Sequence, residues 1–134
     1  HYTGNGTQLS TYPLESTENE YSVEGGTVEI MDYAFYGAKA LKRVKLPDTL
    51  KKINHGAFAE SGIEEIVLPE GFEEIAPNAF YRCFNLSEAD LPVSVNKIHQ
   101  SSFDCCPKLK IKVASGSFAE KYCKKYHRVY TVRK

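Results

Sequence analysis

The chain has 134 residues with 17 basic and 17 acidic side chains, so its formal net charge is zero. No field of the whole molecule therefore points to nucleic acid or to a membrane surface as the partner. Hydrophobic residues make up 42% of the chain, which is typical of a globular domain, and no run of about 20 apolar residues predicts membrane insertion.

The first 29 residues are predicted to form an N-terminal segment and an incomplete coil. Residues 9–12 are a possible strand in an otherwise loop-like stretch. The sequence Tyr21-Ser22-Val23 lies one repeat before Val44-Lys45-Leu46 and has a similar character. An incomplete coil is therefore expected to begin at residue 21.

A motif of 22–23 residues recurs four times in residues 30–116. Each copy begins with an isoleucine and has, five residues later, a phenylalanine that follows a small residue. The isoleucines are Ile30, Ile53, Ile75 and Ile98, and the phenylalanines are Phe35, Phe58, Phe80 and Phe103. Further apolar residues agree in register in each copy, which predicts a repeat architecture with these eight residues as its core.

Each copy also contains a short strand signal. Val44 and Leu46 flank Lys45, and this alternation is typical of a half-buried strand. Prolines follow at Pro47, Pro69 and Pro92, and these should end the strands because proline has no N–H. A coil of this length buries its apolar residues only against neighbouring coils, so the strands are predicted to stack in parallel with right-handed crossovers.

Residues 117–134 are predicted to cap the stack with a helix and a final strand. Ser117 and Glu120 have the spacing of a capping box, which favours a helix over residues 117–126. The apolar stripe that would cover the last coil comprises Phe118, Tyr122 and Tyr126, with Ala119 and Cys123 beside it. Residues 127–132 follow as a strand.

The repeat resembles the bacterial BspA-like leucine-rich repeats, whose unit reads approximately I-x-x-x-A-F-x-x-C-x-x-L-x-x-V-x-L-P. In the second copy the residues that carry the resemblance are Ile53, Ala57, Phe58, Ile63, Ile66, Leu68 and Pro69. The resemblance covers about residues 21–115 and implies an α/β, β-rich leucine-rich-repeat solenoid. The implied fold is a right-handed stack of coils with a parallel sheet, short helical or 3₁₀ turns and a C-terminal capping helix.

Residues 116–122 also resemble the way this family terminates, so we expect the repeat domain to end within this chain. Members of the family are commonly exported, and some are adhesins that bind host extracellular-matrix proteins. The resemblance therefore implies an extracellular or cell-surface location. No binding residue of the family can be matched to this sequence individually.

The outward positions of the stacked strands form a candidate binding strip. Alternation assigns to it Arg43, Lys45, Glu65, Val67, Glu88, Asp90, Lys110 and Lys112. The register of the last pair is an assignment, because that copy is one residue shorter. The strip is interpreted either as a solubilising face with cross-strand charge pairs or as a ligand surface, which solenoids usually present on their sheets.

Tyrosines and cysteines leave further alternatives open. Tyr33, Tyr36 and Tyr81 lie beside the phenylalanine positions, where partly buried flanking of the core is favoured over stacking on a sugar or a peptide. Cys83 and Cys106 share a repeat position with Ala38 and Ser61, which predicts a column of small buried side chains. The alternatives are a disulfide between adjacent coils or a Cys105–Cys123 bridge.

No sequence motif of an enzyme is present, and no C-x-x-C spacing predicts a zinc site. His55 and His99 occupy different repeat positions, so they do not form a ligand pair. We therefore expect a monomeric, non-enzymatic protein–protein interaction module with no cofactor, no metal and no nucleic-acid partner. The alternatives are a structural spacer or cap in a larger surface protein, or a glycan-binding module that uses exposed tyrosines.

Overall fold

The computed structural model describes residues 1–13 and 15–133. Within them, short strands alternate with turns along a stack of coils. The strands are β1 (Tyr2–Thr3), β2 (Gln8–Leu9), β3 (Glu20–Ser22), β4 (Glu29–Ile30), β5 (Arg43–Lys45), β6 (Lys52–Ile53), β7 (Glu65–Val67), β8 (Glu74–Ile75), β9 (Glu88–Asp90), β10 (Lys97–Ile98), β11 (Lys110–Ala114) and β12 (Tyr130–Arg133). The helical segments are a 3₁₀ helix at Gln100–Phe103 and α1 (Phe118–Lys125).

The strands form two sheets. Sheet 1 is parallel throughout, in the order β12-β11-β9-β7-β5-β3. Its strands β5, β7 and β9 end before Pro47, Pro69 and Pro92, as predicted. Sheet 2 has the order β1-β2-β4-β6-β8-β10 and is parallel except for the β1–β2 pair. The sequence predicted one sheet only, because a two-residue strand is too short to show alternation.

The core is a stack of phenylalanine rings along the solenoid. All four phenylalanines and all four isoleucines of the repeat are buried. The ring centroids are 4.7 Å apart for Phe35–Phe58, 5.3 Å for Phe58–Phe80 and 5.1 Å for Phe80–Phe103. Adjacent rings are within 4° of parallel, so the internal ladder predicted from the repeat is present.

Backbone hydrogen bonds outside the sheets also join the coils at this ladder. The N–H of each phenylalanine donates to the carbonyl of the small residue in the next coil: Phe35 to Ala57 at 2.7 Å, Phe58 to Ala79 at 2.7 Å and Phe80 to Ser102 at 2.8 Å. The buried Ser102 hydroxyl donates to Ala76 O at 2.9 Å, so this polar group is satisfied. The small residues therefore leave room for the rings and carry the contact between coils.

The seventh residue after each isoleucine has a left-handed backbone. The φ angles are 73° at Gly37, 58° at Glu60, 56° at Arg82 and 59° at Cys105. This conformation accompanies a bond to the next coil, since Glu60 N donates to Tyr81 O at 2.8 Å and Arg82 N to Asp104 O at 3.0 Å. Glycine adopts such a φ without steric cost, whereas other residues lose about 1–2 kcal/mol.

Tyrosines extend the aromatic stack at both ends. Tyr12 packs on Phe35 at a centroid distance of 5.0 Å, and Tyr122 of α1 packs near Phe103 at 6.5 Å. The Tyr122 hydroxyl donates to His99 O at 3.0 Å, which fixes the capping helix to the last coil. The predicted strand at residues 9–12 is shorter than expected, because β2 ends at Leu9 and the chain then turns Tyr12 into the core.

The capping helix differs from its prediction in two details. Ser117 Oγ accepts from Glu120 N at 3.1 Å, but the Glu120 carboxylate accepts from Gly116 N at 2.8 Å instead of closing a reciprocal capping box. The buried residues of α1 are Ala119, Tyr122 and Cys123, whereas Phe118 is 42% exposed. The assignment of Phe118 to the buried stripe was wrong, since it lies about 90° around the helix from the centre of that face.

Replacing Phe58 by alanine should destabilise the fold by about 3–5 kcal/mol, because it leaves a cavity between two stacked rings. Urea unfolding of the purified chain measures this difference. The control is Phe118→Ala, which should change the free energy of unfolding by less than about 0.5 kcal/mol because the side chain is largely exposed. Equal effects of the two substitutions would contradict this account of the core.

At Cys105, replacement by glycine should stabilise the fold by about 0.5–1 kcal/mol, because it relieves the left-handed backbone at an exposed position. Cys105→Val should instead destabilise by about 1–2 kcal/mol, since a β-branched residue is poorly tolerated at positive φ. Thermal unfolding under reducing conditions measures both. A stabilising valine would argue against strain at this position.

Candidate binding surface

The outer face of sheet 1 arranges the residues of the candidate binding strip in two rows. Cα pairing places Arg43 beside Glu65, Glu65 beside Glu88, and Glu88 beside Lys110. The second row contains Lys45, Val67, Asp90 and Lys112, with Val67 beside Asp90 and Asp90 beside Lys112. The register that the sequence assigned to the shortened fourth copy is therefore the observed one.

A depression of about 560 Å³ lies over the N-terminal half of this face. It brings together the strip residues Arg43, Lys45, Glu65 and Val67 with residues of the incomplete first coil and of the loops after the strands. The full lining is Glu20, Tyr21, Ser22, Arg43, Val44, Lys45, Leu46, Glu65, Val67 and Pro69. Val67 is 59% exposed, so the depression combines an apolar surface with charged side chains.

Arg43 is held at one side of the depression by two carboxylates. Its Nε donates to Glu20 Oε1 at 2.7 Å, and its guanidinium lies 3.9 Å from Glu64 Oε1. The hydrogen bond and charge of Arg43 lower the pKa of Glu20, and those of Glu20 raise the pKa of Arg43. Within residues 1–13 and 15–133, Lys45 and Glu65 form no ion pair, so neither charge is neutralised by a close partner in the fold.

In the C-terminal half of the strip, three of the four side chains are ion-paired within the molecule, whereas Lys110 has no ion pair in the described residues. Lys112 Nζ lies 3.2 Å from Glu88 Oε1, and Arg133 of β12 forms an ion pair with Asp90. Arg133 also donates to Leu91 O at 2.9 Å. Glu88 and Asp90 are partly buried, so the strip divides into a depression with unneutralised charge and a half whose carboxylates are neutralised.

Sequence reasoning missed part of the depression and one ion-pair partner. The depression is also lined by Glu20, Tyr21 and Ser22 of β3. The similarity of residues 21–23 to the next strand could have predicted that β3 pairs beside β5. Tyr21 is fixed there because its hydroxyl is hydrogen-bonded to that of Tyr2 at 2.8 Å. Its partial burial raises the pKa of Tyr21. Arg133 carried no signal, since it lies outside the repeat.

Sheet 2 presents a contrasting row of charges. Pairing along this sheet aligns Gln8, Glu29, Lys52, Glu74 and Lys97. Gln8 Nε2 donates to Glu29 Oε2 at 2.9 Å, and Glu74 lies 3.6 Å from Lys52 and 3.8 Å from Lys97. Each member has an opposite or hydrogen-bonding neighbour, so this row is stabilised within the fold.

The tyrosine edge is more exposed than expected. Tyr33 is 53% and Tyr36 is 42% exposed, whereas Tyr81 is partly buried, so the prediction of partly buried flanking holds for Tyr81 alone. The Tyr33 ring contacts Tyr36 edge-on at 5.8 Å and lies against Gly56, where a Cβ would come within 2.4 Å of it. Tyr36 donates to Glu60 Oε2 at 3.3 Å, and the charge of Glu60 raises the Tyr36 pKa.

The cysteines form no bridge in the structure. Cys83, Cys105, Cys106 and Cys123 are free thiols, with Cys105 exposed and Cys123 buried. The column of small side chains comprises Ala38, Ser61, Cys83 and Cys106, of which only Cys106 is not fully buried. In the described part of the chain, no three His, Cys, Asp or Glu side chains are placed to hold a metal ion.

The fold and its columns define the class as a leucine-rich-repeat solenoid. The chain belongs to the family with BspA type leucine rich repeat regions, whose model matches residues 12–125 in six copies. The match begins before the four complete repeats, at residue 12, and so includes the incomplete first coil. None of the curated protein sequences matches the chain. In the described residues, no helix has the length and apolar character needed to cross a membrane.

Solved bacterial structures share the fold. A leucine-rich repeat protein from Bacteroides ovatus is 25% identical, with a TM-score of 0.68 over 87% of this chain and 36% of its own. The T. pallidum leucine rich repeat protein is 23% identical, with a TM-score of 0.64 over 84% and 66%. A leucine rich cell surface protein from Faecalibacterium prausnitzii is 22% identical, with a TM-score of 0.67 over 99% and 40%. The chain thus spans between about a third and two thirds of these relatives.

The Glu20–Arg43 contact predicts a measurable titration. The pKa of the Glu20 carboxyl should lie below its usual value, and Arg43→Ala should return it toward that value. Any stability that this pair contributes is present above the unfolded pKa of about 4.3 and is lost as the pH falls through the lower folded pKa. Carboxyl NMR titration of the unmodified chain and of Arg43→Ala measures the shift. An unshifted Glu20 would show that the contact does not persist in solution.

Proposed function

We propose that this domain is a protein–protein interaction module of a secreted or cell-surface bacterial protein and that it binds its protein ligand through the depression on sheet 1. The single observation that carries the proposal is the exposed Val67 between Lys45 and Glu65, two charges with no ion pair in the described residues. An apolar contact flanked by charges that can still form pairs suits a protein partner.

The paired charges elsewhere support this choice of surface. Glu88 and Asp90 are neutralised by Lys112 and Arg133, and the charged row of sheet 2 is also paired. A partner would have to break these ion pairs before using them, whereas Lys45 and Glu65 require only desolvation. We therefore assign Lys45, Glu65 and Val67 to the binding surface, with the ion-paired Arg43 at its side, and give Glu88, Asp90 and Lys112 a structural role.

The location is part of the proposal. One structural neighbour is described as a cell surface protein, and the repeat belongs to a bacterial family. We take residues 1–134 as one domain of a monomer, with residues 1–29 as the N-terminal segment and incomplete coil, 30–116 as the four complete repeats and 117–134 as the cap. Adhesion to host or matrix proteins is the specific form of binding to test, and its strength would depend on several copies or on a partner domain.

Two other functions remain distinct from this one. A spacer or cap domain in a larger surface protein would have no ligand, and the longer chains of the structural relatives favour that alternative. Glycan binding through tyrosines is favoured by the exposure of Tyr33 and Tyr36. Their edge-on rings offer a stacking surface for a sugar.

Binding of the purified domain to an array of extracellular-matrix proteins and glycans separates these functions. Val67→Lys and Lys45→Glu should each weaken binding to a matrix protein about tenfold or more, because they place a charge on the apolar contact or reverse an unpaired charge. The matched control is Val93→Lys, since Val93 is 63% exposed and lies outside the depression.

The outcomes are distinguishable. Protein binding that survives both substitutions would move the site away from the depression. Glycan binding that is lost in Tyr33→Ala but retained in Val67→Lys would favour the tyrosine surface. Absence of binding to every protein and glycan would favour the spacer.

A further inference from the structure

Two thiols lie one above the other near the C-terminal end of the stack. Cys83 and Cys106 occupy the same repeat position in the third and fourth complete coils. Cys83 Sγ donates to Phe58 O at 3.0 Å, and Cys106 Sγ makes the equivalent bond to Phe80 O at 3.0 Å. Their Cα atoms are thus about one coil apart, ~4.8 Å, which falls in the range of about 4.4–6.8 Å that disulfides span.

Solvent reaches these two thiols differently. Cys83 is fully buried, whereas Cys106 is partly exposed and lines a cavity of about 150 Å³ with His127 and Arg128. A cavity of this size admits a few water-sized molecules. A small polar oxidant can therefore reach Cys106 through this cavity, whereas the buried Cys83 is shielded from the oxidant.

The surroundings favour the thiolate at Cys106. The adjacent Cys83 thiol lowers the pKa of Cys106, burial opposes this, and the guanidinium of Arg128 adds to the lowering. Arg128 is fixed at the cavity because it donates to Asp104 Oδ1 at 2.7 Å and to Gln100 O at 2.8 Å. The proximity of Cys106, and after it burial, raises the pKa of Cys83. In the reduced pair, Cys106 is thus the thiol that reacts first, and Cys83 keeps its proton until it attacks the oxidised Cys106.

We propose that Cys106 is a site of oxidation by peroxide and that Cys83 resolves the product into a disulfide between the third and fourth coils. The Cys106 thiolate attacks one peroxide oxygen, the O–O bond breaks, and hydroxide leaves and takes up a proton as water. The sulfur, oxidised by two electrons, becomes a sulfenic acid. Cys83 Sγ then attacks this sulfur, the S–O bond breaks, and the Cys83 proton leaves with the hydroxyl as a second water.

Hydrogen peroxide treatment of the full, pre-reduced chain tests the proposal. Intact-mass analysis should show a loss of about 2 Da that a reductant reverses, and peptide mapping should identify the Cys83–Cys106 link. Cys106→Ser should abolish the mass loss. Cys83→Ser should stop the reaction at the sulfenic acid, which dimedone traps on Cys106. Serine is a suitable replacement, because Ser61 occupies this column in the preceding coil and is buried there.

The controls are Cys105→Ser and Cys123→Ser, which should leave the Cys83–Cys106 link unchanged because neither thiol lies in the column. A link that contains Cys105 or Cys123 instead would overturn the proposal. So would a Cys106 that stays unmodified at peroxide concentrations that oxidise the exposed Cys105, or a Cys83→Ser variant without a dimedone adduct on Cys106. Far-UV circular dichroism of each variant confirms that it is folded.

Discussion

The structure depends on face-to-face contact between identical positions of successive coils. A coil of 22–23 residues has no interior of its own, so its apolar side chains leave water only when the next coil covers them. The phenylalanine rings meet this requirement at 4.7–5.3 Å, close to the spacing of neighbouring strands. Because ring spacing and strand spacing agree, the same register holds at the core, in both sheets and in the turns.

Such a stack has to end without exposing its last apolar layer. A tyrosine covers that layer at both ends, because its ring continues the aromatic stack and its hydroxyl forms a hydrogen bond. At the front, Tyr12 lies on Phe35 and donates to Ser16. At the back, Tyr122 lies beside Phe103 and donates to the carbonyls of His99 and Gln100 at the start of the 3₁₀ helix. The ends of the stack are therefore built from the same contacts as its interior, with polar groups added.

Features that repeat could be predicted from the sequence, and features that occur once could not. The isoleucine and phenylalanine columns, the parallel strands of sheet 1 and the register of Lys110 and Lys112 followed from recurrence. Arg133 and the outward turn of Phe118 depend on how the cap sits on the last coil, which no repeat encodes. The left-handed backbone at Glu60, Arg82 and Cys105 was also hidden, because only the first copy has the glycine that signals it.

The candidate surface lies where equivalent positions of successive coils carry different side chains. Core positions are constrained by the neighbours above and below, so a difference between coils there costs stability. Outward positions of sheet 1 have no such constraint, and their row contains Ser22, Lys45, Val67, Asp90, Lys112 and Thr131. Threonine would suit a strand at position 67 as well as valine does, without an apolar side chain in water. Exposed valines also occur outside this surface, at Val93 and Val129, so the candidate surface is marked by the position of Val67 in the depression beside Lys45, which has no ion pair in the described residues, and not by its exposure alone.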